Sequence, residues 1–229
     1  EIIAVTTIEL DDGLVFNAQR VGPMNFSGLR QADYGQGFRM PTIPELIPLV
    51  HASLENKGYE TAKQVIGTLR NHWLTGNTGI LYVPEGMFVQ DNPALENGRI
   101  FMNQETLEKR LGSYQERGVV FSDDRTIRFV PYGFKRESQS PLELSKNPGV
   151  VALTGTEENA EKLARASEHY RLNPYFWALS DVGSSQTRVA DLLLYGFDLG
   201  LDVYADCSEG FGRFSFGVLK DANGIAPKK

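Results

Sequence analysis

Cysteine is nearly absent: the chain of 229 residues has one, Cys207, which excludes an internal disulfide framework and any chemistry that needs a cysteine pair. Histidine is scarce as well. His51, His72 and His169 stand singly on predicted helices, and no two are spaced i,i+4 as a helical zinc site requires. No stretch reaches the roughly 18–20 consecutive apolar residues of a spanning helix, so no membrane span is expected. Positive charge is short too, with 23 Lys and Arg against 29 Asp and Glu, a net charge of −6 and a pI near 5.2. The basic field that nucleic acid or an anionic membrane attracts is missing, and no nucleic-acid partner is expected. Among the 23 glycines there is no phosphate-cradling loop. Gly35-Gln36-Gly37 and Gly210-Phe211-Gly212 lack the third glycine or the Gly-Lys-Ser/Thr ending, and read as turn or strand glycines. No Gly-x-Ser-x-Gly elbow occurs, although a triad assembled from distant residues leaves no such string.

What is present is an ordinary globular composition, 41% apolar and 10% aromatic, neither disordered nor fibrous. A chain of this size can bury a sizeable core without staples, and no linker-like tract divides it, so residues 1–229 read as a single domain. Its first residue, Glu1, is what a trimmed leader or a trimmed clone would leave, and the end from residue 222 reads as a frayed tail. The compartment stays open, surface display or association with a virion included.

Local signals place the elements. Residues 2–8 and 14–18 are β-type runs divided by Asp11-Asp12-Gly13, a hairpin turn. Thr42-x-x-Glu45 is a capping box with Pro44 in the first turn, and Leu46, Leu49, Val50 and Leu54 recur at helical spacing before Gly58. A second helix over 60–73 carries Ala62, Val65, Ile66, Leu69 and Trp73 on one face, and the pair is expected to pack on a sheet. Strand signals follow at 80–83, 87–89, 99–102, 119–121 and 126–130, interrupted by a short helix at 103–111. Thr156 opens a third clear helix, running to about residue 169, and 175–179, 201–204 and 211–219 return to strand. Strands and helices without βαβα alternation put the chain in the α+β class.

The most informative chemistry is acidic. Asp198, Asp202 and Asp206 recur every four residues, and on a strand that even spacing sets all three on one face. Such carboxylates face solvent, pair with a cation, or aim at a ligand. Between residues 181 and 209 six carboxylates stand against Arg188 alone, a local net charge of −5. A solvated acidic loop and a recognition surface both suit this pattern, whereas no Asp-x-Asp-x-Asp-Gly calcium loop is present. Phe176, Trp177 and Leu192 to Leu194 read as core, Tyr195 and Tyr204 could cover its edge, Arg188 reads as an internal salt-bridge partner, and Cys207 as a small buried hydrophobe.

Two segments carry a family resemblance. Gly37-Phe38-Arg39-Met40-Pro41-Thr42-Ile43-Pro44-Glu45-Leu46 resembles the Gly-Phe-Arg-Leu-Pro-Thr-x-x-Glu string of formylglycine-generating-enzyme-type members of the C-type lectin fold. Gly210 to Val218 resembles their closing Gly-Phe-Arg strand. The resemblance implies a mixed, mainly antiparallel sheet flanked by helices, neighbouring N- and C-terminal strands, and a binding surface just before the last strand. Residues 80–150 then stand as a mid-chain insertion. Formylglycine-generating activity needs a cysteine pair, the sugar-binding lectins of this fold carry Glu-Pro-Asn-type calcium motifs, and its iron enzymes carry several histidines; this chain has none of these sets.

The branch left is that of the variable proteins of diversity-generating retroelements, which keep the scaffold and substitute residues in a C-terminal window. Asparagine codons randomised at their adenines give every residue except Lys, Glu, Gln, Met and Trp. From Ala178 to Gly217 only Gln186 and Glu209 belong to that excluded set. The resemblance thus implies a non-catalytic protein, free of cofactor and metal, that presents about 178–210 to a macromolecular ligand, a protein for preference. Ser184, Ser185, Tyr195, Asp198, Asp202, Tyr204, Asp206 and Ser208 would face that ligand, tyrosine giving rigid contact and Ser and Asp adaptable hydrogen bonds. The oligomeric state is open, with a monomer as the working expectation. Two other readings stand beside it: a metal-dependent hydrolase using Asp198, Asp202 and Asp206 with His169 or His72 moving protons, and a structural or virion assembly protein on the same scaffold.

Overall fold

A computed structural model describes residues 6–195 and 199–219, with the side chain of Tyr195 excepted. The first part of the strand predicted at 2–8 and the tail predicted from 222 lie outside these residues. The chain opens with the expected hairpin, β1 (Thr7–Glu9) antiparallel to β2 (Val15–Met24) with Ile8 opposite Phe16. Gly13 takes φ +84° at the turn, and Asp12 Oδ1 accepts the Leu14 amide at 3.1 Å, which is why Asp-Gly stands there. A six-residue helix that the sequence reading missed, α1 (Phe26–Gln31), follows.

The predicted helical pair is α2 (Ile43–Glu55) and α3 (Glu60–Asn71). Glu45 Oε2 accepts the Thr42 amide at 2.9 Å, and the same carboxylate holds Arg39 at 2.6 Å. Arg39 in turn forms a bridge to Val218 through the backbone, so the 37–46 string is a clasp between the first long helix and the last strand. The α3 helix buries Ala62, Val65, Ile66 and Leu69 as expected, but it stops at Asn71 because His72 is extended, at φ −150° and ψ 156°. Trp73, expected on that helix face, opens a strand instead.

That strand is β3 (Trp73–Val83), which turns into β4 (Gly86–Asp91). The small hairpin β5 (Ala94–Glu96) and β6 (Arg99–Phe101), helix α4 (Gln104–Arg110), and strands β7 (Leu111–Glu116), β8 (Val119–Ser122) and β9 (Ile127–Pro131) come next. Three helices follow: α5 (Pro141–Lys146), α6 (Pro148–Thr154) and α7 (Glu157–Ser167), the last capped by Thr156 as expected. The chain returns to the sheet with β10 (Phe176–Trp177), β11 (Gln186–Tyr195), β12 (Gly200–Cys207) and β13 (Arg213–Leu219).

The main sheet runs β1-β2-β13-β3-β4-β9-β8-β7, with β11 antiparallel to β3 and β12, and β10 parallel to β12. It is mixed and mainly antiparallel, and its last strand pairs with β2, so the two terminal regions meet as the resemblance implies. The span 80–150 is in large part scaffold: it supplies β4, β7, β8 and β9 to this sheet and α5 and α6 to the helices. Alternate residues of β3 and β4 enter two cores. Ile80, Tyr82, Met87 and Val89 pack in one with α2, α3, α6 and α7, and Leu81, Val83 and Phe88 in the other with α1 and α4. A strand buried on both faces has no polar side to show, which explains the unbroken apolar run Ile80-Leu81-Tyr82-Val83.

Candidate functional site

Strand β12 divides its side chains cleanly. Leu201, Val203 and Ala205 are sealed in the larger core, and Tyr204 and Asp206, half-buried, point to the opposite face with Asp202. The expected one-sided placement of the acids therefore holds for Asp202 and Asp206, while Asp198 and the Tyr195 side chain lie outside the described residues. At a strand rise of about 3.3 Å, residues four apart are separated by about 13 Å, too far to share one ion. Among the described residues no three His, Cys, Asp or Glu side chains converge as a metal site would. Nor do the histidines reach these acids: His169 Nε2 sits 2.9 Å from Glu55 on α2, and His72 lies against Phe214 at 4.3 Å. Of the hydrolase reading's three carboxylates, Asp198 lies outside the described residues, and Asp202 and Asp206 are joined by no histidine among them.

Aromatic rings fill the space between the acids. Tyr175 stacks on Trp177 with centroids 4.0 Å apart, Trp177 runs parallel to Tyr204 at 5.8 Å and 6°, and Trp73 meets Tyr204 edge-on at 4.6 Å. The ladder is built by pairing, since Trp177 lies opposite Tyr204 and β11 connects β12 to β3. Trp177 is 37% exposed, which corrects the expectation that it lies in the core with Phe176. Neighbours on a strand face opposite ways, so when Phe176 enters the core, Tyr175 and Trp177 must leave it. That period-two pattern was the available signal.

Asp202 braces this ladder from beneath. It is 5% exposed, and its two oxygens accept the Tyr175 amide and the Trp177 indole N–H, each at 3.1 Å. Burial pushes its carboxyl pKa up, against the pull of these two donors. Burial likewise raises the Asp206 carboxyl and the Tyr204 hydroxyl. Asp202, expected to face the ligand, instead lies buried beneath the rings and positions the Tyr175 backbone and the Trp177 indole.

Behind the ladder lies a buried ion pair. Asp191 on β11, across from Tyr204, receives Arg213 Nη2 at 3.1 Å and the Thr75 hydroxyl. Arg213 also donates to the carbonyls of Ser208 and Gly210, tying loop 208–212 to the sheet, with Phe211 81% exposed in that loop. This cation, not Arg188, is the internal salt-bridge partner. Arg188 donates to Gln186 Oε1 and the Thr187 carbonyl and forms no ion pair among the described residues. Cys207 is half-buried, and burial first and then Asp191 push its thiol pKa up, away from the thiolate form.

The remaining predicted residues do not join the ladder. Ser184 and Ser185 are exposed in the loop before β11. Ser208, also exposed, lines a separate polar recess with Asn25, Arg99 and Arg188. Of the eight, the structure brings together Asp202, Tyr204 and Asp206, and adds Trp73, Tyr175 and Trp177.

A solved structure from Nanoarchaeota, described as accommodating massive sequence variation by the C-type lectin fold, aligns with a TM-score of 0.54 at 16% identity. The alignment covers 96% of this chain and 99% of that one. The chain has the C-type lectin fold. No family model and no curated protein matches the chain by sequence. Of the ladder, Tyr204 lies in the segment just ahead of β13, while Tyr175 and Trp177 come from β10 and Trp73 from β3.

Proposed function

We propose that the chain is a non-catalytic ligand-binding protein that presents the outward side of β10, β11 and β12, with the loops of about 178–210, to a protein ligand. The observation that carries this reading is the half-exposed ladder Tyr175, Trp177, Tyr204 and Trp73, held in place by Asp202 and the buried Arg213–Asp191 pair. Rigid amphipathic rings on a braced sheet offer contact area at low entropic cost, which is what a recognition surface requires. The likeness to a lectin-fold structure described as accommodating massive sequence variation supports a second part of the proposal: the exposed positions of this window vary as in a retroelement's variable protein.

Sequencing the gene from many individuals of the source population tests this. Substitutions are expected at Ser184, Ser185, Tyr195, Asp198, Tyr204, Asp206 and Ser208, at adenine-containing codons, sparing Val189, Leu192, Leu201 and Val203, whose side chains are fully buried. Substitutions scattered over the whole surface, or avoiding the window, would overturn the reading.

A further inference from the structure

We propose that the ligand presents arginine: a basic protein segment whose guanidinium lies against the Trp177 and Tyr204 rings and pairs with Asp206. This rests on the binding face proposed above and names the chemistry of its partner.

Three observations lead there. Asp206 shares the outward side of β12 with Tyr204, two residues away or about 7 Å along a strand. That is the reach of an arginine whose methylene stem covers a ring while its fork meets a carboxylate. Second, neither Asp202 nor Asp206 has an ion-pair partner among the described residues, and of the described carboxylates between 181 and 209 only Asp191 is neutralised, by Arg213. Arg188 is near enough to act on Asp206 through space but is bound to Gln186 and the Thr187 carbonyl. The face therefore carries a negative field with aromatic surface inside it. Third, the ring ladder selects among cations: the planar, weakly hydrated guanidinium stacks on aromatic surface, whereas a lysine ammonium keeps its water.

The molecule supplies its own probe, because both of its tryptophans, Trp73 and Trp177, belong to the ladder. Intrinsic fluorescence of the full chain is titrated with acetylated, amidated tetra-arginine, tetra-lysine and tetra-glutamate. Tetra-arginine is expected to give a saturable change, tetra-lysine to bind at least fivefold more weakly, and tetra-glutamate to have no effect. Asp206→Asn should weaken tetra-arginine about tenfold with the free protein's spectrum unchanged. Glu105→Gln, the same loss of charge on the exposed face of α4, should leave it within twofold. Equal binding of the arginine and lysine peptides, or equal loss in both variants, would reduce the effect to general charge attraction and overturn the proposal. No saturable response would overturn it too. If the peptide fails while natural substitutions cluster on this face, the arginine partner alone falls; if both fail, the binding face falls with it.

Discussion

Leu201, Val203 and Ala205 alternate along β12 with Asp202, Tyr204 and Asp206, yet the first three are closed in the core and the second three border a half-open surface. The difference shows how one strand can hold a fold together and still leave room for change: apolar burial is assigned to one side, and polar and aromatic side chains with partial access to solvent to the other. The outward side is not uniformly free, because Asp191, directly across from Tyr204, is fully buried and tied to Arg213 and Thr75. The largest expected effect tests that exception. Asp191→Ala leaves the Arg213 guanidinium buried without its counter-charge and should cost about 3–5 kcal/mol in denaturant unfolding. Tyr204→Ser, at the next position on the same face, should cost less, about 1.5–3 kcal/mol, the sum of its ring contacts and the half-buried ring area. Equal costs would erase the distinction between scaffold and surface on this side of the sheet.

A middle-sized effect belongs to Asp202, which is buried like the scaffold and serves the surface. Asparagine at this position can accept one of the two N–H groups that Asp202 holds but turns its own amide hydrogens toward the other, so Asp202→Asn should destabilise by about 1–3 kcal/mol. The pH dependence sharpens this. Burial raises the Asp202 carboxyl above its unfolded value, so the group's contribution to stability is full at low pH and falls as pH rises through the raised value. The margin of the native chain over Asp202→Asn, measured by thermal unfolding, should therefore shrink between pH 3 and pH 7. A growing margin would mean that the two donors outweigh desolvation.

What could be read in advance follows the range of the signals. The Asp-Asp-Gly hairpin, the Thr42–Glu45 capping box and the helix opened by Thr156 are fixed by residues within four positions of one another, and each was found where expected. Ser140-Pro141-Leu142-Glu143 carries the same capping signal for α5 and was overlooked, since the helix ends six residues on and shows no periodicity. Strand β11 was hidden for a physical reason: Arg188 and Asp191 interrupt its apolar run, and Asp191 becomes a core residue only beside Arg213, 22 positions away. The site divided likewise. Alternation along one strand was enough to place Asp202, Tyr204 and Asp206 together, but the ladder joins rings from β3, β10 and β12, and its exposure is decided by pairings that no local pattern carries.

The smallest effects are expected where the surface is most open, and they sharpen the comparison from its other end. Ser184 and Ser185 precede β11 in an exposed loop, and Ser208 follows β12 with its side chain exposed, so their hydroxyls hold neither core nor ladder. The Ser208 carbonyl does serve the scaffold, as an acceptor for Arg213, but that group survives any side-chain change. Replacing all three serines with aspartate, tyrosine or asparagine should move the unfolding free energy by no more than about 0.5 kcal/mol per site, the usual range for surface positions. The same substitutions at Val189, Leu192 or Val203 would place polar groups in fully buried sites and should prevent folding. A window that tolerates the first set and rejects the second can vary its surface while the buried side of the same strands keeps the fold. If the serine variants proved as damaging as the buried ones, this segment would be scaffold throughout, and variation could not be its use.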